Sequence, residues 1–557
     1  MARIIEVEVT NYRSVEGPVV LRFPERCPIV LIGENNVGKS NYLRALNLVL
    51  GGFWPGNHDP EDNEFYNRER ERNIQIVVRF DEDDPLGRYA DVTWGYDAQA
   101  REPYYLGFRD HHGNGRGYVK TEDREQCTCV LLEAERELRY QLSYTSKYTL
   151  LSKLMHKFHH ALMEEANVKQ DLEGLFESVK QKFQEIPEFR TFVDQLRLQL
   201  GDFIGSMTHR LQVDFEAYNP VNFFHALRLH ADENGTPRAI DEMGTGEQQI
   251  LALSFAYAYA RAFHGGIVLA LEEPEAHLHP LAQAWLAKKL FEMCEGGLQI
   301  IITTHSPHFI DLLHLEGLVL LRKIGGATTA VQLTRQALVE HCLNLGSDPN
   351  RTTVDRILPF YHDNATPSVL EGLFARAVVL VEGATEQLAL PVLLGRLGFD
   401  TDAHGIAVID VGGKGNLAKW RRLFTAYGIP TYVIFDNDAS EDGEGNRRED
   451  ALRSVGVPDG DHAAILQAQE WVVEDTYAVF GVDFETTFRG MIPGYEDLEA
   501  EARENGIVGK PLIARWVAER ISIPAAGAAG RDKLEQLLNC VRSLAPADDR
   551  PQPDGAQ

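Results

Sequence analysis

A buried-type strand, a glycine-framed loop and a helix follow one another without a break near the N-terminus, and few folds accommodate that succession. Gly33-Glu34-Asn35-Asn36-Val37-Gly38-Lys39-Ser40 fits the pattern G-x-x-x-x-G-K-[ST]. It is preceded by the apolar run Ile29 to Ile32 and followed by a helical pattern from Asn41. Loop N–H groups and the helix N-terminus can then surround phosphates. Gly33, Asn35, Asn36 and Gly38 are the candidate phosphate cradle, Lys39 the group that reaches the β/γ oxygens, and Ser40 the Mg²⁺ ligand. The chain must therefore contain an α/β layer with this loop at a strand end.

Three further segments suit the same site. Ile267 to Leu271 is an apolar strand that delivers Glu272 and Glu273. Glu272 is placed to hold Mg²⁺, directly or through water, and Glu273 to orient an attacking water. Ile301-Ile302-Thr303-Thr304-His305 ends another strand with a histidine suited to sense a γ-phosphate. Met243 to Gln249 opens a helix, and its Gly244, Gly246 and Glu247 form a second candidate anion site. His277 and His279 are expected to pack against or cap the helix that follows.

A second series of strands and helices begins after Phe374, with strands expected at 377–382, 406–411 and 431–435. The first ends in Glu382-Gly383, and Glu386 lies one helical turn further on. The third ends in Asp436-Asn437-Asp438, whose two carboxylates face alike on an extended chain. Four clustered acids repel unless cations neutralise them, and oxygen-only ligands favour Mg²⁺ or Mn²⁺. Glu474-Asp475, after Trp471-Val472-Val473, would complete a two-metal arrangement. Gly412-Gly413-Lys414-Gly415-Asn416 either binds phosphate or turns the chain. Lys414, Lys419, Arg421 and Arg422 supply either a local basic surface or a solvated helix face.

The order of the first set of motifs resembles the ABC-type ATPase heads of the RecF/SMC group, as does Asn11-Tyr12-Arg13-Ser14 after the first strand. Thr245 stands where that group usually has serine. The resemblance implies ATP as ligand and a nucleotide-gated homodimer or higher assembly. The later acids resemble a Toprim domain, with Ser440 where topoisomerase versions carry a third acid. An ATPase head followed by a Toprim domain resembles the OLD (overcoming lysogenization defect) nucleases. That resemblance gives Lys510, in Gly509-Lys510-Pro511-Leu512, the task of steadying the scissile phosphate.

The implied fold class is α/β: an ABC-type ATPase domain with a helical insertion, then a Toprim (Rossmann-like) domain. The expected map is 1–145 and 211–368 for the ATPase domain and 146–210 for a helical insertion suited to a dimer contact. It continues with 369–543 for the Toprim domain and 544–557 for a disordered tail. A length of 557 residues demands several cores. No apolar run reaches the ~20 residues of a membrane span, and the N-terminus does not read as a signal peptide. Six scattered cysteines suit a reduced, cytoplasmic protein, with Cys127 and Cys129 on one face of a strand.

The implied function is an ATP-regulated, divalent-metal-dependent DNA endonuclease or nickase in phage defence or DNA repair, with a partner helicase left open. The competing reading is a RecF/SMC-like DNA-binding regulatory ATPase with a non-catalytic Toprim scaffold. A net charge of −28 speaks against indiscriminate nucleic-acid binding but permits a local basic track. A topoisomerase would need a separate domain bearing a nucleophilic tyrosine, and a primase a zinc ribbon; neither is legible.

Overall fold

A computed structural model describes residues 2–133, 266–276, 278–438 and 446–544, with scattered positions between 170 and 254. Its contacts divide the chain into one unit of Met1–Ala134 with Gly265–Gln557 and a second, Glu135–His264. The second unit contains an antiparallel hairpin of His230–Glu233 (β9) and Thr236–Ala239 (β10). Most of the expected insertion at 146–210, the Met243 to Gln249 segment, His277, Ser440 and the tail beyond 544 lie outside the described residues.

Among the described residues the first unit holds three sheets. One is antiparallel, in the order Val19–Arg22 (β2), Ile4–Thr10 (β1), Ile74–Phe80 (β4), Asp91–Asp97 (β5), Glu102–Phe108 (β6) and Gly117–Tyr118 (β7). Alternating burial on β1, with Ile4, Val7 and Val9 inward, turns one face of this sheet to the core.

The second sheet runs Ala327–Gln332 (β14), Leu318–Ile324 (β13), Ile29–Ile32 (β3), Gln299–Thr303 (β12), Gly266–Glu272 (β11) and Cys127–Leu132 (β8). All neighbours are parallel except β14, which folds back on β13. A parallel strand covered on both faces must be apolar throughout, and all four residues of β3 are buried. The helix Lys39–Leu50 (α1) buries Tyr42, Leu43, Leu46, Val49 and Leu50 at helical spacing in the same core. Cys127 and Cys129 are buried, two residues apart on β8, and neither is in a disulfide.

The third sheet is Ile406–Asp410 (β16), Ala377–Val381 (β15), Thr431–Asp436 (β17), Tyr477–Phe480 (β19) and Val472–Val473 (β18). Only β18 is antiparallel to its neighbour. Every residue of β15 is buried. The helices Ala384–Arg396 (α2), Lys414–Ala426 (α3) and Lys510–Arg520 (α4) pack beside this sheet, and α2 and α4 are close neighbours.

Open α/β sheets bind ligands beyond the carboxyl ends of their strands, where the strand order reverses. In the second sheet β3 lies between β12 and β13, and the glycine loop leaves its carboxyl end. In the third sheet the chain builds β16 on one side of β15 and β17 on the other, and Glu382 and Asp436 stand at that switch point. The second and third sheets therefore present one candidate site each. Among the described residues no helix is long and apolar enough to cross a membrane.

Candidate functional site

The glycine loop is held from outside itself. Gly33 has φ +138°, and a Cβ there would come within 2.3 Å of the Leu321 carbonyl oxygen. Gly38 has φ +100°, and its Cβ would meet Ser14 Oγ at 2.4 Å and Thr328 Oγ1 at 2.6 Å. Thr328 Oγ1 donates to Val37 O (2.7 Å) and shares a 2.6 Å hydrogen bond with Ser14 Oγ, which accepts from Asn41 Nδ2 at 2.7 Å. Asn35 and Asn36 are exposed at the loop tip, and Asn36 is left-handed at φ 63°. Ser40 follows Lys39 in the first turn of α1.

Lys39 is 7% exposed and its Nζ donates to Gly33 O (2.9 Å) and Glu34 O (2.7 Å). Burial pulls its pKa down to about 8, against the upward pull of Glu273, Glu275 and Glu34. Glu272 ends β11, and Glu273 follows with left-handed backbone (φ 45°), its N–H given to Thr303 O at 2.9 Å. Backbone strain of this kind persists only where surrounding contacts enforce it. His305 Nε2 stands 3.6 Å from Glu273 Oε1, and burial, with Lys39 adding to it, lowers the imidazole pKa. Lys39, Glu273 and His305 thus share one field.

Sequence reasoning passed over Glu275. Its Oε1 accepts from Thr304 Oγ1 (2.6 Å) and from the His305 N–H (2.8 Å), while Oε2 is buried without a partner. Burial raises its pKa. The Glu-Glu-Pro-Glu stretch was the available signal. Gly244, Gly246 and Glu247 lie outside the described residues. His279 caps the helix Pro280–Glu295, accepting from Leu281 N–H at 3.4 Å.

The second site forms where β15 and β17 end. Glu386, 4% exposed in the first turn of α2, accepts the Gly383 N–H at 3.1 Å. Glu382 Oε2 accepts the Asp436 N–H at 3.3 Å. Asp436 Oδ1 is buried with no hydrogen-bond partner among the described residues. Burial first, then Glu386, Glu382, Asp483 and Glu485, push the Asp436 pKa up to about 9. Burial, Glu382 and Glu485 raise that of Glu386 to about 7. Asn437 faces away, donating to Leu466 O (3.0 Å) and accepting from Arg448 (2.7 Å), which pins the strand end between the two aspartates.

The structure does not bring Glu474 and Asp475 to this cluster. Strands β17 and β19 pair in parallel from Val433–Tyr477 to Asp436–Phe480. Glu474 and Asp475 therefore belong to the opposite end of β17, where Tyr432 Oη donates to Glu474 O at 2.8 Å. Asp483 and Glu485, beyond the other end of β19, act on Asp436 in their place, and Glu485 Oε1 is also buried without a partner.

Lys414, Lys419, Arg421 and Arg422, which the sequence leaves as either a basic surface or a solvated helix face, are all buried or half-buried. Lys414 is 3% exposed, and its Nζ lies 3.0 Å from Asp438 O and 3.6 Å from Glu382 Oε2, inside the acid cluster. Arg422 is 2% exposed and holds Asp450 and Leu345 O. Arg421 is half-buried, and burial, with Arg422 adding to it, lowers its pKa to about 10. Lys419 lies over the Phe360 ring at 3.8 Å. Lys510 is exposed at the start of α4. Arg396, ending α2, donates to Ala518 O near the end of α4, so Lys510 and Glu386 begin their helices on the same side.

Among the described residues no three His, Cys, Asp or Glu side chains are gathered closely enough to grip an ion as they stand. The donor set nevertheless fits a hard divalent cation. It is all oxygen, carries the unpartnered Asp436 Oδ1, and holds protons that a cation would replace.

The two sites touch the same short segment. Arg376, the residue before β15, forms a bidentate pair with Glu34 of the glycine loop (2.7 and 3.0 Å). Arg322 of β13 donates to Ala375 O (3.0 Å), Arg376 O (3.3 Å) and Gly428 O (3.3 Å).

Residues 373–438 match the family model for the overcoming lysogenization defect protein-like TOPRIM domain. Residues 3–195 match the AAA ATPase domain, and a further AAA-domain model matches 158–311. The chain joins an ATPase domain to an OLD-like Toprim domain. It is similar to the OLD nuclease of Thermus scotoductus, 28% identical over 447 residues, which is 78% of this chain and 81% of that protein. The Old nuclease of Escherichia phage P2 is 21% identical over 484 residues, 78% of this chain and 77% of its own. Endonuclease GajA of Bacillus cereus is 21% identical over 447 residues, 73% and 71% of the two chains.

Proposed function

We propose that this chain is an ATPase-linked nuclease that hydrolyses DNA phosphodiester bonds at its Toprim acids with divalent metal. The observation that carries the reading is the buried, unpartnered carboxylate oxygen of Asp436, set among Glu382 and Glu386 at the switch point of an OLD-like Toprim domain. Relatives named nuclease and endonuclease, covered over most of their length, support it. Glu382, Glu386, Asp436 and Asp438 would hold Mg²⁺ or Mn²⁺, with Asp483 and Glu485 rather than Glu474 and Asp475 available for a second ion. Bound there, the metal would supply Lewis acidity and an activated water.

This chain's own residues then have defined tasks. Lys414 neutralises the cluster and orients Glu382 through the Gly412–Asn416 loop, whose Gly413 N–H is given to Glu382 O at 2.8 Å. Lys510 stands on the Glu386 side, exposed and ready to meet a phosphate. In the nucleotide site Lys39 must leave Gly33 O and Glu34 O to reach a triphosphate, and Glu273, neighboured by His305, is the candidate to align water. The paired assembly expected of ATPase heads is part of the same proposal, as is nucleotide control of cutting.

The test is incubation of supercoiled plasmid with the protein, Mg²⁺ or Mn²⁺, and ATP present or absent, beside Asp436→Ala and Lys39→Ala. Nicking or linearisation lost in Asp436→Ala supports the reading, and Lys39→Ala reports the nucleotide's influence. ATP hydrolysis without cleavage under either metal would favour a regulatory ATPase on a Toprim scaffold.

A further inference from the structure

Beside the Toprim acids lies a cleft of about 790 Å³ whose charge is opposite to that of the molecule. Arg351 and Arg356 line one wall, on and before the helix Val354–Asp363, while Lys419 and Arg422 of α3 line the other. Arg447 and Arg453 close the end from the helix Arg447–Ser454. Against these six cations the lining contains two carboxylates, Asp348 and Asp450. A surplus of four positive charges is thus concentrated in a chain whose net charge is −28.

Internal pairing absorbs part of that charge. Arg422 is matched by Asp450, and Arg453 by Asp459 just outside the lining. Arg351 and Arg356 remain exposed. Among the described residues Arg351 pairs only with Asp348, at 3.7 Å, and Arg356 gives one N–H to a backbone carbonyl, Asn350 O. Crowding leaves a trace on Lys419, whose pKa is lowered by burial first and then by Arg422, Arg447 and Arg351, against the pull of Asp450. Cations packed this closely with few acids await an anion.

The cleft also has a direction. Gly412 and Gly413 form part of its rim, with φ of +72° and +111°. A Cβ on Gly413 would meet nothing within 4 Å, so the backbone there is open to a close approach. The same Gly413 gives its N–H to Glu382 O, and the next residue, Lys414, reaches Glu382 and Asp438. Helix α3 begins here with no side-chain cap and no acid in its first turn. The loop that forms one rim of the cleft is therefore the loop that touches the acid cluster. Ile357 and Phe360 give it an apolar component that a bare inorganic anion would not use and a sugar or base would.

We propose that this cleft holds the backbone phosphates of the DNA strand flanking the bond cut at the Toprim acids. The assignment rests on the nuclease reading above. Arg351 and Arg356 contact phosphates from one wall, the uncapped start of α3 from the other, and the strand leads over Gly412–Gly413 to Asp436. These contacts position DNA without reading its sequence.

The experiment measures binding of a short fluorescein-labelled duplex by anisotropy in EDTA, over a range of salt, so that cutting plays no part. It uses the full chain carrying Lys39→Ala, which removes the glycine loop as a competing phosphate site. Arg351→Glu with Arg356→Glu should weaken binding at least tenfold at low salt and reduce the slope of log K against log salt by about 2. The Arg351→Gln, Arg356→Gln pair, gentler on folding, should lower the slope by the same amount with a smaller loss of affinity. An unchanged slope and affinity in both pairs would overturn the proposal. Pyrophosphate is the second probe. Weak competition supports a strand-binding track, and displacement of DNA at equal concentration would overturn it in favour of a small-anion pocket. Failure of the nuclease reading looks different: the arginine variants lose binding as stated, yet the native protein cuts nothing with any metal.

Discussion

Lys414→Met removes the Lys414 ammonium group from the Toprim acid cluster while keeping an unbranched side chain one atom shorter. The Lys414 side chain is 1% exposed and that of Glu382 13%, with Nζ 3.6 Å from Oε2 and 3.0 Å from Asp438 O. Removing one partner of a buried pair typically costs about 3–5 kcal/mol, because the other charge stays buried and uncompensated. The separation here is longer than contact distance and Glu382 keeps the Asp436 N–H, so the lower figure, about 3 kcal/mol, applies. In a domain of this size each kcal/mol moves the midpoint by about 2–4 °C, so in EDTA the variant should melt roughly 6–12 °C below the native protein. Divalent metal should then act in the opposite sense. Without the ammonium the acids bind Mg²⁺ more tightly, and a concentration 100 times Kd adds about 2.7 kcal/mol. Thermal unfolding by circular dichroism, with EDTA and with Mg²⁺, is the assay. Melting equal to the native protein in EDTA, or a Mg²⁺ gain no larger than native, would refute the view that Lys414 serves as the cluster's resident cation.

Three further outcomes follow from the geometry. Asp436 has its folded pKa raised from 3.8 to about 9, so the folded state holds a proton that the unfolded chain releases. Its contribution is fully present below about pH 4 and is lost as pH rises toward 9; Asp436→Asn should therefore flatten the alkaline fall in melting temperature seen in EDTA, and an unchanged profile would contradict the assignment. Glu275→Gln frees the Thr304–His305 turn and should reduce ATP turnover about tenfold, a rise of about 1.4 kcal/mol in the barrier, with the melting temperature little changed. Glu34→Gln with Arg376→Gln separates the glycine loop from the start of β15. A double-mutant cycle should give a coupling of about 1 kcal/mol for this partly exposed pair. ATP hydrolysis and plasmid cutting should each persist while the effect of nucleotide on cutting disappears.

What the sequence disclosed was whatever local chemistry dictates. The glycine loop announces itself because phosphate binding, left-handed turns and a helix start must occur within eight residues, Gly33 to Ser40. The strands before Glu382 and Asp438 were legible because doubly covered parallel strands are apolar throughout, as in Ala377–Val381. Non-local pairing was not legible. Asp91–Asp97 and Glu102–Phe108 interleave polar, glycine and aromatic residues, and only their hairpin pairing within the antiparallel sheet makes them strands. Glu474-Asp475 and Asp483, Glu485 are equally acidic in sequence; the register of β19 on β17 alone decides which end of the sheet each pair serves. Lys414 reads as a solvated lysine because nothing in Gly412 to Asn416 reveals that the loop folds inward over Glu382. Arg422 misleads likewise, since its partner Asp450 is supplied by a different helix.

The most direct test is to follow ATP hydrolysis and cleavage of a labelled duplex in one reaction with Mn²⁺, comparing the native protein with Asp436→Asn. The account predicts that Asp436→Asn hydrolyses ATP at the native rate and leaves the duplex intact. Cleavage by Asp436→Asn at the native rate would show that the Toprim acids are not where the bond is broken.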